Sequence, residues 1–150
     1  MSDSDLQKHD LHKNDRHKQV AISFLQSANW LNAEISRLLE PYDLTLQQLK
    51  VLSIIYQAEA HRATVNQIKE QMIDPSSNVS RLLNKLMDKK LISKVRSEDD
   101  QRVVHIHISL LGQQLMCEGK EAMDQGMAVM NKLTAAELSQ LEQLMDKLRS

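Results

Sequence analysis

A chain of 150 residues with 41% hydrophobic and 26% charged side chains has the composition of one globular domain, or of two small lobes sharing a core. It contains no 18-residue apolar run and no apolar signal region at its start, and the single Cys117 excludes an internal disulfide, so a soluble protein of the reducing cytoplasm is expected, with no membrane partner. Aromatic residues make up only 3%, which leaves the core to Leu, Ile, Val and eight Met, and the net charge is −1.

Residues 1 to about 14 are polar and mixed in charge, and are expected to fray. From Asp15 to Glu40 a long helical pattern places Val20, Phe24, Ala28, Leu31, Ile35, Leu38 and Leu39 on one broad face, until Pro41 ends it. His9, His12 and His17 have a spacing that a metal can use. No acidic or thiol partner is fixed beside them, so they read as solvated and no metal is expected. Thr45 with Gln48 forms a capping box for a second helix, whose buried side is Leu46, Leu49, Leu52, Ile55 and Tyr56. Glu59 to Ala63 reads as a loop. Thr64 with Gln67 is a second capping box and opens a short helix through Val65, Ile68 and Met72, before Asp74-Pro75 breaks the chain.

The next stretch carries most of the functional signal. Val79, Leu82, Leu83, Leu86 and Met87 have the spacing of one buried helical stripe. The opposite face holds Ser80, Arg81, Asn84, Lys85 and Asp88, with Ser76, Ser77 and Asn78 at the N-terminal end. By itself this pattern favours an ordinary serine-capped surface helix. The two segments after it shift the balance. Leu91–Arg96 and Val103–Ser109 read as strands, with Val104, Ile106 and Ile108 on one side of the second and Val103, His105 and His107 on the other. The polar hexapeptide 97–102 forms the hairpin tip between them. Helix, turn, short helix, turn, helix, then a hairpin, is the order of a winged helix-turn-helix, in which the short middle helix braces the reader. Residues 76–96 hold Arg81, Lys85, Lys89, Lys90, Lys94 and Arg96 against Asp88, six minus one or +5, on a nearly neutral chain. One basic patch on such a chain is the electrostatic footprint of a double-stranded DNA reader.

After the hairpin, Ser109 opens a helix expected to reach about Leu133, and Thr134 with Glu137 caps a last helix. That helix carries Leu138, Leu141, Leu144, Met145 and Leu148, a seam too narrow for a core of its own and suited to a partner. The only glycines, Gly112, Gly119 and Gly126, lie seven apart on nearly one face of the preceding helix. This spacing implies a close approach of another backbone or a bend, unless it is coincidence.

Ser77-Asn78-Val79-Ser80-Arg81-Leu82-Leu83, the run Leu86–Ile92, and Asp100-x-Arg102 leading to Ile108-Ser109-x-x-Gly112 together resemble the MarR (multiple antibiotic resistance regulator) transcription factors. The likeness covers nearly the whole chain. Lys90 stands where that family usually has glycine, and Gln101 and Asn78 replace commoner Arg and Thr. The resemblance implies a homodimer built by the first and last helices, and a wing in which Asp100 orients Arg102 into the minor groove. It also implies a small aromatic or phenolic ligand, bound between platform and reading lobe, that releases DNA. Members that sense peroxide keep their cysteine near the chain's start, whereas Cys117 lies beyond the wing.

An enzyme is not expected. The glycines form no phosphate loop, and Cys117 has no neighbouring histidine to act as its base. Glu98, Asp99 and Asp100 read as a solvated tip, and His105 and His107 either share a ligand or lie on a strand face turned to solvent or to DNA. The expected fold is mainly α with a small β-hairpin wing: residues 1–40 and 110–150 form a helical dimerisation platform, and 41–109 a winged helix-turn-helix lobe. The expected function is a homodimeric, sequence-specific repressor acting on a pseudo-palindromic operator, released by a small ligand and needing no cofactor. DNA contact is assigned to Ser76, Ser77, Asn78, Ser80, Arg81, Asn84, Lys85, Lys94, Arg96, Asp100 and Arg102, and dimer contact to Val20, Leu138, Leu141, Leu144 and Leu148. The alternatives are a winged-helix assembly module, favoured by the acidic tip, and a thiol-oxidation sensor using Cys117.

Overall fold

The computed structural model describes the backbone of residues 3–72 and 78–150, with side chains from residue 15 onward. It is mostly helical with a small three-stranded antiparallel sheet, as a winged helix requires. Helix α1 (Asp3–Leu39) begins far earlier than the frayed start expected from composition. No glycine or proline lies between residue 3 and Pro41, so nothing interrupts the hydrogen-bond ladder. A 3-10 turn at Glu40–Tyr42 then leads into Asp43, which is left-handed (φ 51°). The broad apolar face of α1 divides in two. Ile35 and Leu39 enter the core, whereas Val20 and Phe24 stay exposed.

Helix α2 (Leu46–Gln57) has the complete Thr45/Gln48 capping box and buries Leu49, Val51, Leu52, Ile54 and Ile55. The segment 59–63, expected as a loop, is instead a 3-10 turn (Glu59–His61) and a short strand β1 (Arg62–Ala63). Ala63 is buried opposite Ile106, which gives the strand its reason to pair. Helix α3 (Val65–Glu70) has its own capping box, and helix α4 (Val79–Asp88) comes next. Strands β2 (Ile92–Arg96) and β3 (Val104–Ile108) form the hairpin, and the sheet order is β1-β3-β2. Ile92, Ile106 and Ile108 face the core beneath α2, α3 and α4.

Helix α5 (Leu110–Gly126) starts at the Ser109 cap and ends before the expected Leu133. Its α-helical turns give way at Gly126, the poorest helix former after proline, and Met127–Lys132 continue as 3-10. Helix α6 (Ala135–Arg149) has the expected Thr134/Glu137 box and buries no residue. The glycine stripe marks close packing. A Cβ at Gly112 would lie 2.3 Å from the Leu91 carbonyl oxygen, one at Gly119 3.3 Å from Leu49 Cδ1, and one at Gly126 2.1 Å from Leu38 Cδ1. Among the described residues no helix is long and apolar enough to cross a membrane.

Candidate nucleic-acid interface

Helix α4 is held by one face and free on the other. Val79, Leu83 and Leu86 are buried and Leu82 and Met87 half-buried, which turns Ser80, Arg81, Asn84, Lys85 and Asp88 to solvent. Asn78 caps the helix, its Oδ1 accepting the Arg81 N–H at 3.1 Å. Ser76 and Ser77 lie outside the described residues. At the other end the Leu91 N–H donates to the Leu86 carbonyl at 3.0 Å and the Lys90 N–H to that of Met87 at 2.9 Å. This is a Schellman closure, and its left-handed position is occupied by Lys90 (φ 60°). The residue that departs from the expected glycine is therefore the one whose backbone asks for glycine.

In the wing, Lys94 pairs with Ile106 and Arg96 with Val104, so both share the sheet face turned toward the core and α4. Both are exposed, as are Asp100 and Arg102 at the tip. The tip is closed by Ser97 N–H to Val103 carbonyl and Val103 N–H to Asp100 carbonyl, each 2.9 Å. Asp100 Oδ1 accepts the backbone N–H of Arg102 at 3.0 Å. The carboxylate thus reaches Arg102 through its main chain and holds the turn, and among the described residues no ion pair joins it to the Arg102 guanidinium. A side chain two residues upstream reaches the main chain more readily than a long, solvated guanidinium.

Arg62, Ser93, Val95, His105 and His107 form the outer sheet face. Burial first, then the positive charge of Arg62 and of His105, lowers the pKa of His107. Among the described residues no group of three metal-ligating side chains comes together, so the two histidines have no third donor.

The basic surface is mostly available. Among the described residues ion pairs occur at Arg37–Glu34, Lys89–Asp43 and Arg149–Asp146, and none of these engages Arg81, Lys85, Lys90, Lys94, Arg96 or Arg102. Lys89 is the exception in the patch. Behind α4 lies an open cleft of about 830 Å³, bounded by Ala33, Ser36 and Arg37 of α1, Thr45 and Gln48 near the start of α2, and Lys85 and Lys89. Nothing in the sequence pattern announces it, because it arises where three separate helices meet. On α6 Leu141, Leu144 and Leu148 are exposed and Leu138 half-buried, while α1 exposes Val20, Ile22, Phe24, Leu25 and Trp30. Cys117 is exposed on α5.

This architecture agrees with the chain's similarities. HTH-type transcriptional regulator MgrA of Staphylococcus aureus is 28% identical over 131 residues, 87% of either chain. A MarR variant from E. coli solved with operator DNA superposes with a TM-score of 0.69 at 24% identity, covering 83% of this chain and 90% of that one. BpsR of Bordetella bronchiseptica, solved to explain regulation of its DNA binding by 6-hydroxynicotinic acid, gives 0.73 at 19% identity, covering 87% and 93%. The family model for the transcriptional regulator SarA/Rot matches residues 34–119, which span α1's buried end, the winged helix and the first half of α5. The chain belongs to the SarA/Rot family of MarR-type winged-helix transcriptional regulators, and it is not an enzyme.

Proposed function

We propose that the protein is a homodimeric, sequence-specific DNA-binding repressor of the cytoplasm, which a small aromatic or phenolic ligand releases from a pseudo-palindromic operator. Residues 41–109 act as the reading lobe, and 1–40 with 110–150 as the dimerisation platform. The observation that carries this reading is the orientation of α4. Its apolar face is locked into the core, and the face left outside presents Ser80, Arg81, Asn84 and Lys85 with no carboxylate partner among the described residues. Ser80, Arg81 and Asn84, with Asn78 at the cap, suit base edges in a major groove, Lys85 suits a phosphate, and Ser76 and Ser77 belong to the same DNA-contact assignment. Lys94, Arg96 and Arg102 extend it along the wing toward phosphate and minor groove.

Dimerisation is supported by apolar side chains left exposed among the described residues, Val20 on α1 and Leu141, Leu144 and Leu148 on α6, with Leu138 half-buried beside them in sequence. Ligand release is supported by the cleft behind α4, whose volume is in the range that holds a single-ring acid, and by the regulation of BpsR.

Fluorescence anisotropy on a random-sequence duplex and on duplexes selected from a random pool, at two salt concentrations, tests the reading, with sedimentation giving the oligomeric state. Selective, salt-dependent binding by a dimer is expected. A stable monomer at micromolar concentration, or no binding to any duplex at low salt, would favour the assembly-module reading that the acidic tip supports.

A further inference from the structure

Lys89 differs from every other cation of the basic patch. Its side chain is 29% exposed, and its ammonium contacts the backbone carbonyl of Asp43, Asp43 Oδ2 at 3.2 Å and Gln48 Oε1 at 3.3 Å. An ammonium has three protons. Two of them are donated, to the Asp43 carbonyl and to Gln48 Oε1, and the Asp43 carboxylate stands beside the third, so the ammonium is turned toward the protein. The acceptors are themselves held. Asp43 sits in a left-handed turn whose N–H donates to the Glu40 carbonyl at 3.0 Å. Gln48 is 3% exposed, and its Oε1 also accepts the Thr45 N–H at 3.1 Å. Lys89 is the C-cap residue of α4, with its own N–H donating to the Lys85 carbonyl at 3.2 Å. The side chain therefore straps the end of the reading helix to the junction between α1 and α2, along one wall of the cleft.

We propose that Lys89 is a positioning residue for DNA reading, not a phosphate contact: its strap sets the tilt of α4 relative to α1. The inference rests on the DNA-binding reading above. Arg81 lies eight residues, about 12 Å, up the helix from the strap. A tilt of about 10° there moves its backbone by ~2 Å, enough to take a base contact out of hydrogen-bond range. Nonspecific attraction, which depends on charge and not on register, survives such a tilt. The Asp43 carboxylate is 90% exposed and contributes little, so the carbonyl and Gln48 carry the strap.

The test measures wild type, Lys89→Met, Lys89→Arg and Lys85→Met on a duplex selected by the wild-type protein and on a random duplex, across a salt series. Lys89→Met should lose about tenfold on the selected duplex, little on the random one, and keep the salt slope. Lys89→Arg, which retains donors, should recover most of the loss. Lys85→Met should lose on both alike and flatten the slope by about one unit. If Lys89→Met behaves as Lys85→Met does, or has no effect on either duplex, the proposal is overturned. If the wild type selects no duplex, the DNA reading fails and this role with it. The strap would then still be measurable as non-additive melting shifts of Lys89→Met and Gln48→Met.

Discussion

The three glycines of α5 allow one substitution to be tried in three environments, with a different outcome expected at each. In Gly112→Ala the new methyl would lie 2.3 Å from the Leu91 carbonyl oxygen, 3.1 Å from its carbon and 2.9 Å from Ile108 Cγ1. The obstacle is backbone, and it is not free to yield, because that oxygen accepts the Ser109 N–H at 2.9 Å. Relief requires α5 to separate from the α4–β2 junction. Overpacking of this kind costs about 1–3 kcal/mol, and a lost buried hydrogen bond adds to it, so a loss of ~3 kcal/mol or more is expected. At about 2–4 °C per kcal/mol for a chain of this size, melting should fall by roughly 6–12 °C. Gly119→Ala meets only leucine methyls, at 3.3, 3.4 and 3.7 Å. Its gain in helix propensity is about 1 kcal/mol, so the net should lie between zero and a slight stabilisation. Gly126→Ala meets Leu38 Cδ1 at 2.1 Å, but that is the tip of a half-buried side chain that can change rotamer, at a cost of about 1 kcal/mol. Urea and thermal denaturation of the three variants should therefore rank Gly112→Ala far worst and Gly119→Ala best. Wild-type stability of Gly112→Ala would refute the packing argument.

Lys90→Gly should stabilise the protein by about 0.5–1 kcal/mol, because it relieves a left-handed backbone at φ 60° and gives back part of that gain as unfolded-chain entropy; a lower urea midpoint would contradict it. Asp100→Ala should weaken DNA binding although it deletes a negative charge, because the carboxylate holds the Arg102 N–H and so the turn; tighter binding at fixed salt would reduce the tip to a repulsive loop. Stability should decline as pH falls below 6.5, because the depressed pKa of His107 lets the unfolded chain take up the proton first, and His107→Gln should remove part of that slope in pH-dependent melting.

What is legible in the sequence is what depends on neighbours three or four residues apart. The boxes at Thr45, Thr64 and Thr134 form as written, since cap and partner lie within one turn. The inward stripe of α4 and the alternation of β3 emerge for the same reason. Strand β1 is not legible: two residues show no period, and its partner His107 lies 45 residues from Arg62. The sequence places Lys89 with the basic patch because nothing local separates it from Lys90. Its acceptors, Asp43 and Gln48, lie 46 and 41 residues upstream. Val20 and Phe24 keep to the apolar period yet find no core among the described residues, since periodicity says which face is apolar and not what covers it.

The acidic wing tip bears on how such a surface must work. From residue 76 to 102 the seven cations Arg81, Lys85, Lys89, Lys90, Lys94, Arg96 and Arg102 face four carboxylates, Asp88, Glu98, Asp99 and Asp100, which leaves +3. The Lys89 ammonium is committed to its strap, so the charge available for direct phosphate contact is nearer +2 per reading lobe. Nonspecific affinity and salt slope scale with the number of phosphates neutralised, so one lobe should hold random DNA weakly. The tip charges are separated from α4 by the wing, and screening over about 8–10 Å leaves the base-reading face comparatively untouched. The discrimination proposed here then has to come from the directional contacts of Arg81, Ser80 and Asn84, doubled by a two-fold dimer. In that design the tip lowers binding to the wrong sequence at least as much as to the right one. A register held by Lys89 matters more than another unit of positive charge.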